Sequence, residues 1–201
     1  RMKLLGRLAL ALALLSAATA VRGQDEDLAR ELPRIPPHEP AEAMATLAVH
    51  PGFRVEQVAT EPLVRSPVAV AYDADGALYV VEMRGYPFVE DRPSGTIAKL
   101  EDRDGDGRFD ARTVFLDGLM WPTGVVPYDG GVFIAVAPEI LYAKDTDGDG
   151  KADVRRVAFA GFETGNVQGL LNGLHWGDDG WIHGVASSNG GLIRTPEHPD
   201  R

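Results

Sequence analysis

The amino-acid sequence predicts an all-β fold, and three observations carry this prediction. The 201 residues include 23 glycines and 14 prolines, a composition that favours many short strands and turns over long helices. Two short sequence units recur along the chain. Their apolar runs, such as VFIAV at residues 132–136, are continuous rather than alternating, which is typical of strands that are buried on both faces.

The first recurring unit is an apolar run, a turn with aspartate or glycine, and a second apolar run. Its three copies span residues 67–81, 122–136 and 172–185. Gly76, Gly131 and Gly180 mark the turn in each copy, at separations of 55 and 49 residues. Each copy therefore predicts a β-hairpin.

The second recurring unit lies between copies of the first, at residues 102–118 and 145–161, with an offset of 43. A period of about 43–55 residues with four strands per unit is the spacing of propeller blades. We therefore expect a partial β-propeller of about three blades over residues 53–201. Because a ring typically needs four to eight blades, we also expect the chain to be part of a longer protein. A β-sandwich and a flat β-solenoid are the alternatives.

Residues 1–23 are predicted to be a secretory signal peptide. Lys3 and Arg7 precede an apolar stretch of about 13 residues that ends in the cleavage pattern Ala18-Thr19-Ala20, although a cut after Gly23 also fits. A membrane anchor is the alternative, but the stretch is shorter than the ~20 residues that a span needs. We expect an exported protein, periplasmic or extracellular, with no membrane contact in the residues that follow.

Residues 24–52 are polar and rich in proline, and they predict a surface arm with a short helix over residues 41–49. The chain carries 20 basic and 30 acidic residues, a net charge of −10, which argues against nucleic acid as a partner. It contains no cysteine, so disulfides, thiolate zinc sites and haem attachment within these residues are excluded.

The strings DRDGDGRFD and DTDGDGKAD predict two calcium-binding loops, which we call the first and second aspartate loops. Alternating aspartates on a tight turn direct their oxygens to one centre, and calcium takes six to eight oxygen ligands. An EF-hand is excluded because Thr113 and Arg156 stand where it needs a glutamate. A hairpin turn without an ion is the alternative. The predicted ligands are Asp102, Asp104, Asp106, Asp110, Asp145, Asp147, Asp149 and Asp153.

Five strings in a fixed order carry a family resemblance. They are PGFRV (51–55), the stretch 67–87, GLMWPTGV (118–125), ILYAKDTDGDGKAD (140–153) and NVQGLLNGLHWGDDGWIHG (166–184). Together they resemble the bacterial membrane-bound dehydrogenase family, whose N-terminal propeller is similar to soluble quinoprotein glucose and sorbosone dehydrogenases. The resemblance implies a pyrroloquinoline quinone cofactor, oxidation of a sugar or alcohol, and a c-type haem domain further along the chain.

The resemblance also implies cofactor-binding residues. The quinoprotein enzymes carry an Asn-His-Gln string whose histidine acts as the base. The residues that correspond to it here are Asn166, Val167 and Gln168, with valine in place of the histidine. His175 and His183 are the other candidates for a catalytic base, and a packed or surface histidine is the alternative for each.

One arginine, one asparagine and the three tryptophans are further candidates for site or core positions. Arg84 is a candidate for an anionic cofactor, with a surface salt bridge as the alternative, and Asn172 is a candidate for a ligand or for turn capping. The three tryptophans, Trp121, Trp176 and Trp181, are predicted to lie in the core. The sequence therefore leaves three functions open: a quinoprotein sugar or alcohol dehydrogenase, a non-catalytic propeller that binds glycan or protein, and a lactonase-type hydrolase.

Overall fold

The computed structural model describes residues 35–88, 93–186 and 188–198. The predicted signal peptide and the first part of the predicted arm lie outside these residues. The chain separates into two compact units, one ending at Ala48 and the other beginning at Val49. Within the first unit, a short helix, Pro40–Ala43, runs into a 3-10 turn, Met44–Thr46. No helix among the described residues is both long and apolar enough to cross a membrane.

The first sheet has four antiparallel strands that neighbour one another in chain order. These strands are β1 (Pro67–Tyr72), β2 (Leu78–Glu82), β3 (Gly95–Glu101) and β4 (Ala111–Leu119). Every residue of β2 is buried, as the continuous apolar run at residues 78–81 predicts for all but Glu82.

The second sheet repeats this arrangement and adds a strand. Its strands are β5 (Gly124–Tyr128), β6 (Gly131–Val136), β7 (Glu139–Lys144) and β8 (Val154–Phe162). The fifth strand, β11 (Gly191–Arg194), pairs antiparallel with the outer strand β8. This close approach requires glycine, because a Cβ on Gly161 would lie 2.0 Å from the carbonyl oxygen of Leu192.

The third element is a hairpin of β9 (Asn172–Trp176) and β10 (Ile182–Val185), preceded by the 3-10 turn Val167–Gly169. The prediction of an all-β fold is confirmed. The third repeat, however, forms a two-stranded hairpin, because the strand that follows it pairs with β8 instead.

The predicted hairpins correspond to β1–β2, β5–β6 and β9–β10. Gly76 and Gly180 have the positive φ angles that their turns require, +87° and +78°. The prediction was wrong at Gly131, which begins β6, while Asp129 and Gly130 supply the positive φ angles of that turn.

Three apolar clusters order these elements into layers. The first lies between the two sheets and includes Ile97 and Phe115 from the first sheet and Ile134 from the second. The second lies on the far face of the first sheet, where Ala59 and Val64 cover it. The third cluster lies on the opposite face of the second sheet, where the hairpin packs. The second sheet therefore stands between the first sheet and the hairpin.

The core prediction is confirmed for only one of the three tryptophans. Trp121 is buried, but Trp176 and Trp181 are 46% and 74% exposed. The reason is that both lie on or beside the hairpin, which has only two strands and leaves its aromatic side chains in an open cleft.

Candidate functional site

The first aspartate loop joins β3 to β4. Asp102, Asp104 and Asp106 each place a carboxylate oxygen within 4.8 Å of the others. The two oxygens of Asp102 accept backbone N–H groups, that of Gly105 at 2.7 Å and that of Gly107 at 2.9 Å. The bond from Gly107 is the main cause that lowers the pKa of Asp102 below its ordinary value. The loop thus gathers three carboxylates around one centre.

The second aspartate loop, between β7 and β8, has the same geometry. Asp145, Asp147 and Asp149 also lie within 4.8 Å of one another. Asp145 accepts from the N–H groups of Gly148 at 2.7 Å and Gly150 at 2.8 Å. Burial acts to raise the pKa of Asp145, but these hydrogen bonds, with a further one from Asp147 and the charge of Lys99, together hold that pKa below its ordinary value.

The two predicted ligands at the ninth loop position do not join these groups of three. Neither Asp110 nor Asp153 belongs to a group of described residues whose ligand atoms lie within 4.8 Å of one another. Both oxygens of Asp153 accept hydrogen bonds from Thr146 at 2.9 Å. Asp153 therefore braces the base of its loop.

Each loop is hydrogen-bonded to the backbone of a segment that comes earlier in the chain. At equivalent positions, the N–H of Phe109 donates to the carbonyl of Val58 at 2.9 Å and that of Ala152 donates to the carbonyl of Phe115 at 2.8 Å. Burial, together with nearby carboxylates that include Asp145, raises the pKa of Tyr79 in β2 to about 12. The second loop thus lies against the first sheet.

His175 and His183 are cross-strand partners in the hairpin, with stacked rings whose centroids are 5.6 Å apart. His175 donates from Nδ1 to the carbonyl of Gly173 at 2.8 Å, and His183 donates from Nε2 to Asp179 at 3.0 Å. The hydrogen bond from His183 is the main cause that lowers the pKa of Asp179. Both rings are solvent-exposed, and these bonds orient them.

Two of the three candidate amide side chains, those of Asn166 and Asn172, accept hydrogen bonds from nearby backbone. Asn166 accepts from the N–H of Gln168 at 3.0 Å, and Asn172 accepts from the N–H of Gly173 at 2.7 Å. Val167 lies in the same 3-10 turn. These side chains stabilise the connection between β8 and β9.

Arg84 lies just beyond β2, beside a buried polar network that the sequence did not reveal. Glu82 is fully buried and accepts from the guanidinium of Arg112 at 3.0 Å, the hydroxyl of Thr96 at 2.8 Å and the N–H of Arg65 at 2.9 Å. Arg84 donates to the hydroxyl of Thr96 at 3.3 Å. The face that carries Glu82 points away from the second sheet, so the layer order separates Arg84 from the two histidines.

A cleft with a volume of about 680 Å³ lies between the second sheet and the hairpin. Aromatic side chains dominate its lining, and we call it the aromatic cleft. Tyr128 and Trp176 are inclined by 30° with centroids 6.2 Å apart, and Trp176 donates to the carbonyl of Pro127 at 3.0 Å. Trp181 and the guanidinium of Arg156 complete the rim. The spacing of Trp176 and Trp181 around a turn was the only sequence signal for this cleft.

Comparison with known families places the chain in one of them. The sequence pattern of a family described as a domain of unknown function (DUF7133) matches residues 39–200. The chain belongs to this family. The DUF7133 match includes both aspartate loops, the aromatic cleft and Arg84. No curated protein and no solved structure matches the chain.

Proposed function

We propose that this DUF7133 domain is an exported, calcium-stabilised β-propeller module that binds carbohydrate in the aromatic cleft. The observation that carries the binding function is the set of exposed aromatic rings around an open cleft of about 680 Å³. This volume is within the range of small-molecule sites, roughly 300–1,000 Å³.

The layered arrangement supports the propeller. Two successive four-stranded meanders stack face to face, and a third hairpin packs on the second. Ala152, in the second aspartate loop, donates to Phe115 in β4, the outer strand of the first sheet. Phe109, at the equivalent position of the first loop, donates to Val58. The segment around Val58 therefore stands in the same relation to the first sheet as β4 does to the second. The same stacking step is therefore repeated along the chain.

The two aspartate loops support calcium. Each loop offers three carboxylates around one centre. Hard oxygen ligands of this kind suit calcium better than a transition metal. Without a cation, three neighbouring carboxylates repel one another. Weak calcium modules of this kind operate outside the cell, which agrees with the signal peptide expected at residues 1–23.

Carbohydrate is the ligand class that fits the aromatic cleft. The electron-rich face of an aromatic ring attracts the C–H edges of a sugar ring, and tryptophan and tyrosine provide this area at a low cost in side-chain entropy. Arg156, which also stacks on Tyr142 with its guanidinium carbon 4.8 Å from the ring centroid, can donate to sugar hydroxyls at the rim. The net charge of −10 disfavours nucleobases attached to a phosphate backbone.

A glycan array followed by calorimetry tests this function. We expect the purified protein to bind a defined set of neutral glycans, and Trp181→Ala to weaken this binding at least tenfold. Trp181 is the most informative position because it is 74% exposed, so its truncation removes a binding face without opening the core.

Phe53→Ala is the matched control for this experiment. Phe53 is also 74% exposed and lies outside the aromatic cleft, so its truncation should leave glycan affinity within twofold. The absence of any glycan ligand, or an unchanged affinity of Trp181→Ala, would show that the cleft does not bind carbohydrate.

Quinone-dependent oxidation of a sugar or alcohol stays a prediction from the resemblance. Arg84 would hold a carboxylate of the cofactor and His183, oriented by Asp179, would accept a proton. Arg84 lines a cleft at the first sheet that includes neither histidine, whereas His183 lies in the hairpin beyond the second sheet. Reduction of a redox dye with sugars, in the presence of pyrroloquinoline quinone and calcium, would favour the enzyme over the binding module.

A further inference from the structure

The buried network at the end of β2 includes two arginine side chains whose hydrogen-bonding capacity is only partly used. Glu82 is 0% exposed and supplies one negative charge, while Arg84 and Arg112 each carry a positive one. The hydrogen bonds of Glu82 are already taken by Arg112, Thr96 and Arg65. Within the described residues, the buried Nε atoms of both arginines have no hydrogen-bond partner. Buried donors of this kind normally find an acceptor.

Arg84 lines an open cleft of about 380 Å³, which we call the Arg84 cleft. Ser94 and Thr96 add two hydroxyl groups to the lining, and Asp117 adds a carboxylate. Among the described residues, Arg84 makes one hydrogen bond, a long one of 3.3 Å to a hydroxyl that already donates to Glu82. The network therefore positions the guanidinium of Arg84 but leaves most of its N–H donors without an acceptor among the described residues.

We infer that the Arg84 cleft binds a small hydroxycarboxylate, such as a sugar acid. A guanidinium recognises a planar carboxylate through two parallel N–H groups, and such charge-assisted pairs are about twice as strong as neutral ones. Asp117 repels a simple anion, but it accepts hydrogen bonds from a ligand that also carries hydroxyl groups. Ser94 and Thr96 can bind the same hydroxyls, so the lining selects a carboxylate with hydroxyls over a bare anion.

This site is independent of the proposed aromatic cleft. The Arg84 cleft lies at the first sheet, whereas the aromatic cleft lies on the hairpin side of the second sheet. Loss of one activity would therefore leave the other unchanged, and either proposal can fail alone.

Calorimetric titration of the purified protein with sodium gluconate tests the inference, with sodium acetate and inorganic phosphate as comparison ligands. We expect saturable gluconate binding that is at least tenfold tighter than that of either comparison ligand. Arg84→Gln should weaken gluconate at least tenfold, and Arg84→Lys should weaken it several-fold because lysine keeps the charge but lacks the planar fork. Arg54→Gln is the matched control, since Arg54 is exposed, pairs with Glu56 and lies outside the cleft.

A second measurement keeps the test valid if Arg84→Gln does not fold. In the unsubstituted protein, gluconate should shift the backbone amide resonances of Ser94 and Thr96 and leave those of His175 and His183 unchanged. The inference is overturned by a lack of saturable binding, by phosphate binding as tightly as gluconate, by an equal loss in Arg54→Gln, or by shifts confined to the hairpin.

Discussion

At the residue scale, Gly118 and Gly161 occupy equivalent positions in the two repeats but differ in the space around them. Both lie in the outer strand of their sheet, 43 residues apart, and both have positive φ angles, +67° and +98°. A Cβ on Gly118 would meet nothing within 4 Å. A Cβ on Gly161 would overlap the backbone of β11. The backbone angle explains both glycines, and the added strand explains why Gly161 has no room for a side chain.

Alanine at these two positions should therefore have unequal costs. We expect Gly118→Ala to lower the free energy of unfolding by about 1 kcal/mol, from the left-handed backbone alone. Gly161→Ala should lower it by about 3 kcal/mol because the steric overlap with β11 adds to that strain. Urea denaturation of both variants measures the difference. Equal midpoints would indicate that β11 does not pair with β8 in solution.

The aspartate loops are the clearest case at the scale of the element. In each loop, two backbone N–H groups donate to the carboxylate of the first aspartate and so stabilise the turn. These bonds lower the pKa of Asp102 and of Asp145. Because these two pKa values are depressed, the stabilisation from those bonds is present above the ordinary pKa of aspartate and is lost as the pH falls through the depressed values. The turn is therefore formed and ionised at neutral pH, ready for a cation.

Calcium should raise the thermal stability of the protein, and removing a central aspartate should reduce this effect. A ligand at 100 times its Kd stabilises the folded state by roughly 2.7 kcal/mol, so a saturating excess over chelator should raise Tm by several degrees. Asp104→Asn and Asp147→Asn should each lose about half of the rise. Glu139→Gln, outside both loops, should keep all of it. A Tm that is the same in calcium and in chelator would refute calcium binding.

At the scale of the whole molecule, the order of the layers decides which candidate residues can act together. The second sheet uses both faces, one against the first sheet and one against the hairpin. Arg84 lies on the outer side of this stack at the first sheet, whereas the histidines lie in the hairpin. Two separate binding sites therefore fit the architecture better than a single site that would join Arg84 to the histidines.

The sequence by itself determined the all-β class, the hairpins and the position of each aspartate loop between two strands. These features depend on short-range information: turn chemistry at Gly76 and Gly180 and apolar runs of strand length. Only the tertiary structure decided the rest. The network around Glu82, the stacking of His175 on His183 and the exposure of Trp181 depend on which distant strands pair and which faces they cover. Strand β11 pairs with β8 rather than with β10, and no local pattern specifies that choice, because a strand presents the same backbone groups to either edge.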